Sequence, residues 1–139
     1  MKVAVRYYTR SGNTKALADA IAAALGTTAQ DVSAGLSEET DLVFLGSSLY
    51  ANGFDPAVGA FLTQNAARIG TLACFGSSAT GRSTFSKVKA LAESNGISVC
   101  GREFRCPGRF LVMHRGRPNR TDCEAAAAFA SEVRALVDQ

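Results

Sequence analysis

Val3-Ala4-Val5-Arg6-Tyr7-Tyr8, running straight into Thr9-Arg10-Ser11-Gly12-Asn13-Thr14, is the stretch from which the rest of the chain is read. The first half is a strand-like run. The second is a hydroxyl-rich turn, after which Leu17, Ile21, Ala24 and Leu25 recur at helical spacing until Gly26 ends the helix. A turn between a strand and a helix N-terminus suits an anion, because backbone N–H groups and the positive end of the helix dipole converge there. Thr9, Ser11 and Thr14 add hydroxyl donors, and Gly12 lets the backbone come close. The residues therefore predict a phosphate seat. A Walker-type loop is excluded, since no longer glycine loop ending in Lys-Ser or Lys-Thr is present.

Working outward, Leu42-Val43-Phe44-Leu45 and Leu72-Ala73-Cys74-Phe75 are near-continuous apolar runs, the pattern of parallel strands covered on both faces. Asp55-Pro56 supplies a cap and a first-turn proline for a helix that turns Val58, Phe61 and Leu62 inward. Phe85, Val88 and Leu91 form a similar stripe. Ile97-Ser98-Val99-Cys100 opens a fifth strand, and Thr121-Asp122-Cys123-Glu124 has capping-box spacing before Phe129, Val133 and Leu136. A weak second strand falls near Ala29-Gln30-Asp31-Val32. From Ser33 to Thr40 there is little room for a crossover helix, and a single turn is expected from Ser37-Glu38-Glu39. Alternating strands and helices predict an α/β fold: a doubly wound, five-stranded parallel sheet with helices on both faces and a ligand beyond the carboxyl ends of its strands.

The chain has 139 residues, 47% of them hydrophobic and 19% charged, enough for one buried core; a single domain over 1–139 is expected. The N-terminal apolar run is too short and too soon charged for a secretory signal or membrane span, so a soluble cytoplasmic protein with no membrane role is expected. Cys74, Cys100, Cys106 and Cys123 form no C-x-x-C pair, and free, mostly buried thiols are expected rather than a zinc cage or redox motif. A net charge of +3 is far from the footprint of a nucleic-acid binder. Arg102, Arg105, Arg109, Arg115, Arg117 and Arg120 nevertheless cluster around His114, a distribution that suits an acidic partner or a phosphorylated ligand, or else a solvated edge.

Thr-x-Ser-Gly-x-Thr after the first strand resembles the FMN phosphate loop of the flavodoxin family, and the similarity covers nearly the whole chain. Gly46-Ser47-Ser48-Leu49-Tyr50-Ala51-Asn52-Gly53 and Phe75-Gly76-Ser77-Ser78-Ala79-Thr80-Gly81 match, in order, the two loops that hold the isoalloxazine ring, and Gly116-Arg117-Pro118-Asn119 looks like the ending of small proteins of this type. The resemblance implies strand order 2-1-3-4-5 and FMN as cofactor. It assigns the phosphate to Thr9, Arg10, Ser11, Gly12, Asn13 and Thr14, the ribityl chain to Ser47 and Ser48, and the flavin to the loops of Leu49, Tyr50, Ala51, Asn52 and Gly53 and of Gly76, Ser77, Ser78, Ala79, Thr80 and Gly81. Tyr50 is then the aromatic platform. Asn52-Gly53 has the chemistry of a tight turn with positive φ, and the family flips such a peptide toward the reduced flavin.

Two departures bear on function. Ser78, Ala79 and Thr80 stand where many flavodoxins place an aromatic over the outer flavin face, and Arg10 and Arg82 bring positive charge where the family is acidic. A less negative couple for the reduced flavin is expected from that charge.

The function implied is electron transfer between redox partners, with a possibly acidic partner protein or a small-molecule acceptor, in a monomer or weak homodimer. The alternatives are an FMN-dependent NAD(P)H oxidoreductase of quinone- or azo-reductase type and a non-enzymatic binding module on the same scaffold. A receiver domain needs magnesium-binding acids at the strand ends where Tyr8 and Ser47 stand. A small tyrosine phosphatase needs five residues between a cysteine and an arginine, and at that distance from Cys100 stands Cys106. His114 is the only histidine and reads more readily as solvated than catalytic.

Overall fold

Leu42, Val43, Phe44 and Leu45 are at most 1% exposed, and Leu72, Ala73, Cys74 and Phe75 at most 5%, so both runs lie between two apolar layers. The computed structural model describes residues 1–10, 12–48, 53–78, 85–107 and 116–139. Its strands are β1 (Val3–Tyr7), β2 (Ala29–Asp31), β3 (Thr40–Ser48), β4 (Ile69–Ser78) and β5 (Ser98–Pro107). Every pairing is parallel, as the apolar runs predict, and the order is β2-β1-β3-β4-β5, as the resemblance implies. The helices are α1 (Asn13–Leu25), α2 (Pro56–Asn65), α3 (Phe85–Ser94) and α4 (Arg120–Val137).

Side chains alternate along β1 and divide the core into two. Ala4 joins Val43, Leu45, Leu72 and Cys74 beneath Val58, Phe61 and Leu62 of α2 and Val88 and Ala92 of α3. Val5 joins Leu42, Phe44, Ala73 and Phe75 beneath Leu17, Ala18 and Ile21 of α1 and Phe129, Ala130 and Val133 of α4. Phe129 also meets Phe44 edge-on, with centroids 6.2 Å apart. Burying these layers is the main force holding the sheet closed.

Several sequence-based expectations need correction. Ala24 is exposed, because the buried stripe of α1 runs through Thr14, Leu17, Ala18, Ile21 and Ala22 and its last turn lies beside a three-residue edge strand. Leu136 is 49% exposed; Val137 takes its place against the core, in step with Ala126, Ala130 and Val133. The turn before β3 is a 3-10 turn at Val32–Ala34 rather than at Ser37-Glu38-Glu39, because the Asp31 carboxylate accepts from the Ser33 N–H and starts it earlier. The capping box of α4 lies two residues earlier than Thr121-Glu124. Asn119 accepts from Asp122 N–H at 3.0 Å and Asp122 accepts from Asn119 N–H at 2.8 Å.

Candidate functional site

The strand register carries the sequence-predicted loops to one place. Tyr7 pairs with Gly46, Ser47 with Gly76, and Ser48 with Ser77, so the ends of β1, β3 and β4 finish level, and the Tyr8 N–H extends the ladder to the Gly46 carbonyl at 3.1 Å. Thr9, Arg10, Gly12, Asn13 and Thr14 thus share one rim with Ser47, Gly76 and Ser77. Ser11, Leu49, Tyr50, Ala51, Asn52, Ala79, Thr80, Gly81, Arg82, Arg109, Arg115 and His114 lie outside the described residues, as do the side chains of Ser48 and Ser78.

Glycines at the rim let it close. A side-chain carbon on Gly76 would fall on the Ser47 carbonyl oxygen, and one on Gly46 would strike the Phe75 ring and the Thr14 methyl. The bare Gly46 lets the first turn of α1 settle on the sheet, where Thr14 is wholly buried with its hydroxyl 3.2 Å from that of Ser77. Thr14 therefore ties the turn to β4 through its side chain.

The start of α1 has an unusual cap. Gly12 holds φ 88°, has no side chain to cap the helix, no acid stands in the first turn, and among the described residues a side-chain carbon placed there would meet nothing within 4 Å. A left-handed backbone at this point favours glycine. The Thr9 hydroxyl accepts from the Gly12 N–H at 3.0 Å and holds the turn in shape. Such a helix start, open in front and free of first-turn acid, is chemically suited to an oxyanion.

Asp55, read from sequence only as a helix cap, has a second role. Its carboxylate accepts from the Ala57 N–H at 2.9 Å and from Arg10 at 2.8 Å, so the first loop is tied to the start of α2. The Ala57 N–H and then Arg10 hold the Asp55 carboxyl below the usual carboxylate range, with a smaller contribution from the Tyr8 hydroxyl. The charge expected of Arg10 at the ligand is thereby offset. Nothing in the sequence pattern marks this pairing, because 45 residues separate its partners.

Gly53 also departs from expectation: it forms an isolated bridge and is not among the positive-φ glycines. Asn52, the other residue of the expected turn, lies outside the described residues.

Three of the four described arginines of the cluster are matched within the chain. Arg117 grips Asp122 through both oxygens at 2.5 and 2.6 Å, Arg102 meets Glu132 at 2.7 Å, and Arg120 meets Glu124 at 3.0 Å. Arg117 first, and then the Asn119 N–H, hold the Asp122 carboxyl low against the opposing effect of burial. All four cysteines are free; burial pushes the Cys74 and Cys106 thiols up to about 12, so both stay protonated at neutral pH. Among the described residues there is no group of metal-ligating side chains, and no helix is long and apolar enough to cross a membrane.

A family model described as a flavodoxin domain matches residues 4–94, which take in every strand but the fifth. No curated protein matches the sequence. Among solved structures, a flavodoxin from the domain Archaea superposes with a TM-score of 0.79 at 20% identity, each chain covered in full. Oxidised flavodoxin 1 from Bacillus cereus gives 0.70 at 19% identity, covering 95% of this chain and 96% of that one. A flavoprotein in complex with FMN from Lactobacillus acidophilus NCFM gives 0.63 at 18% identity, over 75% of this chain and 92% of the other. At such identities the likeness is one of fold.

Proposed function

This chain belongs to the flavodoxin family, and from that premise we propose that it binds one FMN non-covalently and transfers electrons between redox partners. The observation that carries the reading is the α1 start: a glycine cap with φ 88°, no side-chain acceptor and no acid in the first turn, set beside the level ends of three strands. The flavoprotein of like fold that holds FMN supports the same cofactor here.

In this reading the turn from Thr9 to Thr14 holds the phosphate, chiefly through backbone N–H groups, while the Thr9 hydroxyl keeps Gly12 in place. Ser47 and Ser48 approach the ribityl chain. The loops 49–53 and 76–81 flank the ring, with Tyr50 as its platform. Bound there, the flavin supplies reversible uptake and release of electrons. The protein's part is to bind, orient and shield it. Asp55 and Arg10 keep the first loop against α2, so that the phosphate and ring sites are held at a constant separation.

A redox partner protein or a small-molecule acceptor then takes the electrons. Of the described arginines in the 102–120 cluster, Arg102, Arg117 and Arg120 are held in ion pairs, which offsets their part in steering an acidic partner. Titration of the apoprotein with FMN tests the proposal. One-to-one binding with a shifted flavin absorption band is expected, and a carrier so loaded oxidises NADPH only when a partner reductase is added. Absence of binding contradicts the cofactor; direct NADPH oxidation with a quinone present replaces the carrier by a reductase.

A further inference from the structure

The connection from β2 to β3 spans residues 32–39 and contains one 3-10 turn and no helix. The sheet face that α2 and α3 cover elsewhere is therefore left uncovered at its β2 edge. A cavity of about 500 Å3 lies there, lined by Ala4, Arg6, Thr27, Thr28, Gln30 and Ser37 among others. It is of a size that holds small molecules, and it is set apart from the rim of strand ends described above.

Arg6 is the unusual group in it. Its Nε donates to the Gly35 carbonyl at 2.9 Å and one terminal nitrogen donates to the Val5 carbonyl at 3.0 Å. Those two contacts leave most of the five N–H groups of a guanidinium without an acceptor among the described residues. No carboxylate stands against it: burial alone acts on Arg6, and lowers its pKa. Glu38, which also lines the cavity, is taken by Lys2 at 2.6 Å, and Asp31 accepts from Ser33. A half-buried cation without a counter-charge is costly unless an anion meets it. Gln30 pairs with Arg6 across the β1–β2 register and so presents its amide on the same face.

We propose that this cavity binds a small polar molecule carrying a carboxylate or a phosphate, anchored by the Arg6 guanidinium. The planar fork receives the oxyanion through two parallel N–H bonds. The Gln30 amide and the hydroxyls of Thr27, Thr28 and Ser37 recognise hydroxyl or carbonyl groups on the rest of the ligand. An apolar ligand is disfavoured by that lining.

The test is nitrogen-15 NMR of the protein at saturating FMN, so that any phosphate seat on the first loop is filled, at constant ionic strength. Inorganic phosphate and citrate are titrated separately. A saturable shift of the Arg6 Nε–H and the Gln30 amide, with one probe or both, is the expected result, and the responding probe identifies the anion. Gln30→Glu sets a carboxylate beside Arg6 and is expected to weaken the response at least tenfold while FMN affinity is unchanged; Arg6→Gln is expected to abolish it. Because Arg6 also holds the Gly35 carbonyl, Gln30→Glu on the exposed edge strand carries the test if Arg6→Gln does not fold. No saturable shift with either probe, or a response that survives in Gln30→Glu, overturns the proposal.

Discussion

The N-terminus of α4 is closed on itself, with Asn119 and Asp122 exchanging hydrogen bonds and Arg117 clamping the acid, whereas that of α1 begins at Gly12 with no side-chain acceptor. α2 falls with α4, since Asp55 fills its cap. Orphan N–H groups at a helix start are ordinarily satisfied from nearby, at a gain of about 1 kcal/mol for a good cap. The chain provides such a cap at Asp55 and Asn119 and places a glycine at the start beside the strand ends. In the proposed reading the capped starts serve stability and the glycine start serves binding.

Substitutions can break that division of labour. Asp122→Ala removes the acceptor of Asn119 and the partner of Arg117 together, and is expected to cost about 2 kcal/mol in urea unfolding, with FMN affinity unaltered. Gly12→Asp is expected to do the reverse. It sets a carboxylate where the proposed seat would hold the phosphate, so FMN affinity measured by fluorescence quenching is expected to fall about 10- to 100-fold, while left-handed strain costs only about 1 kcal/mol of stability. Thr9→Val removes the acceptor that shapes the turn and should weaken FMN about fivefold, roughly one hydrogen bond's worth.

The closed starts also titrate. Asp122 and Asp55 have folded-state pKa values below their ordinary ones, so the stability they contribute is present above the unfolded carboxylate value of about 4 and is lost as pH falls through the lower folded values. Unfolding midpoints are expected to hold from pH 7 to about 5 and to drop below about 4, and Asp122→Asn should flatten the drop. The smallest effect belongs to Asp55→Asn, in which the new amide still caps α2 and only an exposed ion pair with Arg10 is lost; its midpoint should stay near that of the parent protein.

The parts of this protein legible in its sequence are those encoded by local pattern. Runs such as Leu42 to Leu45 announce buried parallel strands because every side chain in them must be apolar, and Asp55-Pro56 announces a helix because cap and proline act within one turn. The strand-to-helix connection at the first loop is legible for the same reason. Ala24 and Leu136 fall outside the core despite their helical spacing, because that spacing fits a range of faces and only the neighbouring elements choose one. The Arg10–Asp55 tie, the Thr14–Ser77 contact and the unpaired Arg6 depend on residues brought together by strand order. No local signal records them.

The most direct test of an oxyanion seat at Gly12 is calorimetric titration of the apoprotein with FMN and, in parallel, with riboflavin, which differs only in lacking the phosphate. The α1 start predicts that FMN binds at least about 100-fold more tightly, a difference of about 2.7 kcal/mol that shrinks in Gly12→Asp. Equal affinities for the two flavins, or no affinity for either, would contradict it.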